Sequence, residues 1–236
     1  MKRPDLFVGV RSVLDLIFPP VCHICGAALP PGDKFLCSPC IASLPRTLYH
    51  RDPSGTNPME HRFAGIIPFR RGPGVFFYAP GSPLSQTVQD FKYRKFPGLA
   101  RRLGQIMANE LFPTGFFSGV DAIIPVPIHY TKRLRRGYNQ SEMLARGISD
   151  VTGIPVSILL KAIKPHRTQT SLSHDARRHN TQGIFSLRHP ERLRGKHVMV
   201  IDDICTTGAT LLSAAEAILK DEPTTEISLI SLGVTF

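Results

Sequence analysis

Residues 198–211, VMVIDDICTTGATL, carry two adjacent aspartates at the end of an apolar run, followed by a short loop of threonines and glycine. Asp202 and Asp203 would each cost on the order of several kcal/mol if buried without a partner, so they must face solvent, a cation or hydrogen-bond donors. Thr206, Thr207, Gly208, Ala209 and Thr210 lead straight into a helical pattern of Leu211, Leu212, Ala215, Ile218 and Leu219. Backbone N–H groups at such a helix start converge on an anion, the hydroxyls add donors, and Gly208 allows close approach or a positive φ. Capping alone needs one hydroxyl and leaves the aspartates unexplained. A phosphorylated ribose meets both demands, donating from its hydroxyls to the carboxylates while its 5′-phosphate occupies the loop.

Two nucleotide-binding alternatives fail on spacing. An apolar run ending in acids also suits a Walker B strand, but that requires a G-x-x-x-x-G-K-[ST] cradle, which the chain lacks. A dinucleotide-binding G-x-G-x-x-G is absent as well.

A second cluster lies near the amino terminus, where Cys22 and Cys25 form one C-x2-C pair and Cys37 and Cys40 another. Each short gap lets two thiolates face one ion, so the four sulfurs predict a closed tetrahedral shell around a structural zinc. An iron site uses similar ligands. Disulfides would need an oxidising compartment, and no export signal is evident, because Asp5, Arg11 and Asp15 interrupt the apolar stretch of residues 1–20. That stretch instead has Leu6, Val10, Val13, Leu14 and Ile17 at helical spacing, predicting a short amphipathic helix. No apolar run reaches the roughly 18–20 residues of a membrane span, and a cytoplasmic protein is expected.

The elements that must hold these residues read as α/β. In the second half, apolar strands expected at 122–126, 156–160, 197–201 and 227–234 alternate with helices near 140–152 and 209–219, which predicts a parallel sheet with covering helices. Ligands of such sheets bind beyond the carboxyl ends of the strands, where the aspartates fall. Before this core, residues 85–111 predict helix broken or restarted at Pro97, and the aromatic pieces 66–69 and 75–78 predict a hairpin or arm. The expected organisation is an N-terminal helix and ribbon over 1–48, a small hood or linker with a first helix over 49–118, and the core over 119–236. The polar, basic stretch 164–183 has the length of a functional lid.

Charge narrows the partner. The chain holds 29 Lys and Arg against 18 Asp and Glu, a formal net charge of +11, which suits phosphate-rich ligands, nucleic acid or an anionic surface. The segments 92–102 and 132–136, interleaved with Phe91, Tyr93, Phe96 and Tyr138, would suit single-stranded DNA whose bases stack while its phosphates meet cations.

The run of apolar residues, two acids and TTGAT resembles the phosphoribosyl diphosphate (PRPP) motif of type I phosphoribosyltransferases. Together with the C-x2-C pairs, RRGYNQS at 135–141, and Gln169, Leu172, Arg177, Asn180 and Gly183 in the long loop, it makes the chain resemble the ComF/GntX family, related to bacterial competence. The resemblance implies a Rossmann-like phosphoribosyltransferase core with PRPP and Mg2+ as ligands. Asp202 and Asp203 would hold the ribose hydroxyls as catalytic residues, with Thr206, Thr207, Gly208, Ala209 and Thr210 around the 5′-phosphate. Pro125, Val126, Pro127 and the basic run Lys132, Arg133, Arg135 and Arg136 would face pyrophosphate, with Arg133, Arg136 and the loop residue Arg177 as candidate contacts and Arg178 beside it. The setting it implies is DNA uptake, in company with competence or DNA-processing proteins. Within that setting the chain is either a phosphoribosyltransferase whose acceptor the sequence does not specify, or a single-stranded-DNA-binding factor for which PRPP is a regulatory ligand.

Overall fold

A computed structural model describes residues 19–51, 57–164 and 183–235. The helix expected over the first residues lies outside that range. The chain divides into two compact units, Met1–Leu44 and Pro45–Phe236.

In the first unit, Cys22 N–H donates to the Ala27 carbonyl at 2.8 Å and His23 N–H to that of Phe35 at 2.9 Å, closing a knuckle that reverses at Gly26, φ +72°. Helix α1, Ser38–Ala42, follows immediately and buries Cys40.

The second unit is built on a four-stranded parallel sheet in the order β1-β6-β5-β2, comprising β1 Gly74–Phe77, β2 Ala122–Pro125, β5 His197–Cys205 and β6 Glu226–Val234. Beyond β2, Val156 adds one parallel bridge to Ile123. Val198, Val200, Ile201, Leu229 and Ile230 are completely or almost completely buried, as a sheet covered on both faces demands. Strands β3, Leu160–Ala162, and β4, Phe185–Leu187, form a separate antiparallel pair.

Helices cover both faces. Helix α6, Ala209–Asp221, buries Leu211, Ala214, Ala215 and Ile218 in one core with Ile124, Val198, Val200 and Leu229. Helix α5, Gln140–Thr152, packs on β2 and β5, and α3, Pro97–Leu111, packs on α5. Helix α2, Pro83–Tyr93, precedes α3 and starts at Ser82, whose hydroxyl accepts from Ser85 N–H at 3.2 Å, with Pro83 in the first turn. The break between α2 and α3 falls before Pro97, as its ring requires. Short α4, Tyr130–Arg136, ends at Gly137 with φ +83°.

Two expectations change. The aromatic piece 75–78 is no hairpin: β1 lies parallel at the edge of the main sheet, pairing Gly74 with Ser231 and Phe77 with Val234. Side-chain alternation cannot reveal whether a short apolar strand pairs with its neighbour in sequence or with one more than 150 residues later. The strand expected at 156–160 shrinks to the Val156 bridge, and the chain then turns into β3 of the smaller sheet.

Helices α3 and α5 meet backbone to backbone. A Cβ on Gly104 would lie 2.1 Å from the Leu144 carbonyl oxygen, and one on Gly147 would lie 2.0 Å from that of Arg101. Gly104→Ala or Gly147→Ala must therefore force the helices apart and is expected to cost about 3 kcal/mol, at the upper end for overpacking, read as a lowered urea midpoint. Alanine variants with an unchanged midpoint would contradict this packing.

Candidate functional site

The aspartates lie in β5 near its carboxyl end, where Asp202 still pairs with Ser231, and are held by different partners. Asp202 Oδ1 accepts from its neighbour's backbone N–H at 2.8 Å and from Ser141 Oγ at 3.0 Å. Ser141 is placed by Asn139, which caps α5 through Ser141 N–H at 3.2 Å and donates from Nδ2 to the Val126 carbonyl at 3.0 Å, joining the helix start to the end of β2. Asp203 Oδ1 accepts from Ile204 N–H at 2.7 Å, while its Oδ2 pairs with Lys92 Nζ at 2.9 Å.

Charge is finely divided here. Burial, reinforced by the Asp203 charge, pushes the Asp202 carboxyl up to about 7 despite its hydrogen bonds and the nearby ammonium. Burial would depress the Lys92 ammonium, but the charge and hydrogen bond of Asp203 outweigh it and raise its pKa. Lys132 is lowered by burial and by Arg136 and Arg135.

These groups border a cavity of about 320 Å3. Its wall includes Asp202, Asp203 and Ile204 from β5, Thr206 and Thr210 from the following loop and helix, and Val126, Pro127, Ile128 and His129 beyond β2. Lys92, Lys132, Arg136 and Lys164 supply cations, so lysine and arginine outnumber carboxylates around it. Thr207 Oγ1 instead accepts from Ala209 N–H at 3.4 Å, and Gly208, at φ +81°, reverses the chain into α6. Arg133 is exposed and is not part of the wall. Arg177 and Arg178, with Gln169, Leu172, His174, His179 and Asn180, lie outside the described residues.

Of the aromatic residues in the basic segments, Tyr93 is 54% and Phe96 37% exposed, whereas Phe91 is fully buried. The Tyr138 hydroxyl donates to the Phe91 carbonyl. Tyr93 carries the Arg135 and Arg136 guanidinium groups over its ring, 5.9 and 5.4 Å from the centroid.

Three residues of the site were not singled out from sequence for the roles they take. Lys92 stood only in a basic segment and Ser141 only at the end of a motif, and nothing local distinguishes either as an aspartate partner. Arg62 is the third: its guanidinium donates to the carbonyls of Cys205, Thr206 and Thr235 behind the threonine loop. Its position in a turn-rich segment gave no signal.

In the first unit, the sulfurs of Cys22, Cys25, Cys37 and Cys40 lie within 4.8 Å of one another, and Cys25 and Cys37 are 3.7 Å apart. A tetrahedral zinc with bonds of about 2.3 Å separates its sulfurs by roughly 3.8 Å, so the shell fits the ion. Cys22 Sγ also accepts from Cys37 N–H at 3.4 Å and Ile24 N–H at 3.5 Å. Burial raises the Cys22 thiol, but these N–H groups and that of Cys25 lower it to about 6, whereas burial and the neighbouring sulfurs push the Cys40 thiol up. Among the described residues no helix is long and apolar enough to cross a membrane.

Two family models match the chain. Residues 134–232 match the phosphoribosyl transferase domain, and residues 13–53 match the double zinc ribbon domain. Over 205 residues, 85% of each chain, the sequence is 30% identical to the DNA utilization protein YhgH of Escherichia coli O157:H7. It is 24% identical to competence protein ComFC of Bacillus subtilis strain 168 across 98% of this chain and 86% of the relative. Among solved structures, the glutamine phosphoribosylpyrophosphate amidotransferase of B. subtilis is similar with a TM-score of 0.41 and 21% identity, over 60% of this chain and 30% of that one. Fold and motifs define a phosphoribosyltransferase-type α/β protein with an N-terminal zinc ribbon. Within that class, the chain belongs to the ComF/GntX family.

Two outcomes test the site. Between the usual carboxylate range and about 7, folded protein holds a proton on Asp202 that the unfolded chain has lost, so stability falls as pH rises through that interval. Asp202→Asn removes the titration: melting temperatures at about pH 5 and about pH 8 should show wild type losing ground to the variant at the higher pH, and a constant difference would refute it. Cys37→Ser should reduce bound zinc, measured by plasma mass spectrometry, from about one per chain to a small fraction. Full retention by the variant would remove Cys37 from the shell.

Proposed function

We propose that the cavity binds PRPP with Mg2+, and that the protein is a phosphoribosyltransferase acting in DNA uptake in the cytoplasm. The observation that carries this reading is the opening of the carboxylate pair, two threonines of the loop and a cluster of cations onto one cavity. Asp202 and Asp203 fit the ribose hydroxyls, and the loop and first turn of α6 fit the 5′-phosphate. Lys132 and Arg136 line the same cavity, and in this reading they neutralise a charged leaving group.

The ion pair of Lys92 with Asp203 lies at the cavity itself, so a ligand competes with it rather than being excluded by it. The strained ionisation of Asp202 suits a divalent cation nearby, which would supply charge neutralisation for the pyrophosphate. In the reaction, the C1′–oxygen bond breaks with its electron pair leaving on pyrophosphate, and a nucleophilic acceptor takes C1′ from the opposite side. Lys92, Lys132 and Arg136 stabilise the departing charge in a partly dry site, where fixed cations act most strongly.

The DNA setting draws on the names of the relatives, DNA utilization protein and competence protein. It is supported on this chain by exposed Tyr93 with its two stacked arginines, a platform suited to a nucleobase and its phosphates. In this second reading the protein binds single-stranded DNA and PRPP regulates it.

Thermal denaturation with PRPP and Mg2+ tests the proposal. At a hundredfold excess over Kd the ligand should add about 2.7 kcal/mol of stability, seen as a higher Tm. The double variant Asp202→Asn/Asp203→Asn should lose that shift while keeping a salt-steep affinity for single-stranded DNA. No shift in the wild type would defeat the PRPP assignment, and DNA affinity insensitive to salt would defeat the nucleic-acid one.

A further inference from the structure

Behind the threonine loop stands a buttress that takes no part in the cavity wall. Asn57 Oδ1 accepts from Met59 and Glu60 N–H, both at 3.0 Å, fixing a turn whose Met59 and Phe63 are fully buried. Glu60 Oε1 accepts from Gly72 N–H at 2.7 Å and ties the turn to the strand approach. From this base Arg62 reaches the loop. Its Nη1 donates to the Cys205 carbonyl at 3.2 Å and to that of Thr206, and its Nη2 donates to that of Thr235. One planar fork thus joins the chain leaving β5 to the chain leaving β6. Phe63 closes the other flank: a Cβ on Gly208 would lie 2.9 Å from its ring.

We propose that Arg62 is a positioning residue for a phosphate monoester, holding the loop's peptide groups so that their N–H ends face the ligand. This rests on the sugar-phosphate reading given above. In a trans peptide the carbonyl and the N–H point in opposite directions. The Cys205 carbonyl is shared with Thr235 N–H at 3.1 Å, so Arg62 acts chiefly on the Thr206 carbonyl, and fixing it toward the guanidinium turns the Thr207 N–H away. Thr206 itself borders the cavity. A cation on each carbonyl also polarises the peptide and strengthens its N–H as a donor. The guanidinium acts from the far side of the backbone and touches no ligand. Lysine cannot reproduce this role, because an ammonium is a point donor without the fork that spans three carbonyls.

Titration calorimetry with ribose 5-phosphate and, separately, with magnesium pyrophosphate tests the assignment on the full chain. Arg62→Met should weaken ribose 5-phosphate about tenfold, the equivalent of one well-aligned hydrogen bond, and leave pyrophosphate within about twofold. Arg62→Lys should fold and fall between; if the methionine variant does not fold, the lysine variant decides on the same split. Equal losses for the two ligands, or no loss for either, overturn the positioning role while leaving the proposed function standing. Wild-type protein that takes up no ribose 5-phosphate overturns the sugar-phosphate reading itself.

Discussion

Two carboxylates on consecutive residues, in a place dry enough to lift one of them to about 7, are the constraint around which the larger unit is arranged. Asp202 and Asp203 border the same cavity but are hydrogen-bonded to different side chains. Lys92 approaches Asp203 from α2, and Ser141 approaches Asp202 from the first turn of α5. Each is held in turn: the Asn139 cap seats Ser141 against the end of β2, and α2 reaches α5 through α3. The helical layer on that face of the sheet therefore compensates charge as well as covering apolar surface.

The opposite side of the same strand end has a different task. There the chain reverses into α6 at Gly208, one residue after Thr206 and Thr207 leave the ladder in which the Cys205 carbonyl still accepts from Thr235 N–H at 3.1 Å. Arg62 adds a guanidinium donor to the carbonyls of Cys205 and Thr206 at that point. The aspartates and the threonine loop are thus supported from separate segments of the chain.

Much of this was legible from residue types. The parallel core, the position of the aspartates at a strand end, the threonine loop leading into a helix and the four-cysteine shell all follow from local pattern. Residues 75–78 show where local pattern stops: Gly74 and the aromatic residues after it declare an extended strand but not its partner, which is settled by Val234 lying 2.7 Å from the place of a Gly74 Cβ. Lys92 and Arg62 escaped for the same reason. A basic residue in a helix or turn says nothing about what it faces 111 or 144 positions away, because long-range pairing is a property of the packed whole.

The glycine seam between α3 and α5 bears on how firmly the helical layer beside Lys92 is seated. Helices in backbone contact have no side chains that could slide past one another, so this pair has one seating depth and resists shear. The short Arg94–Phe96 joint between α2 and α3 turns through Lys95 at φ +61°. The Lys92–Asp203 ion pair is thus made beside a helix pair whose spacing a single added methyl group would disturb.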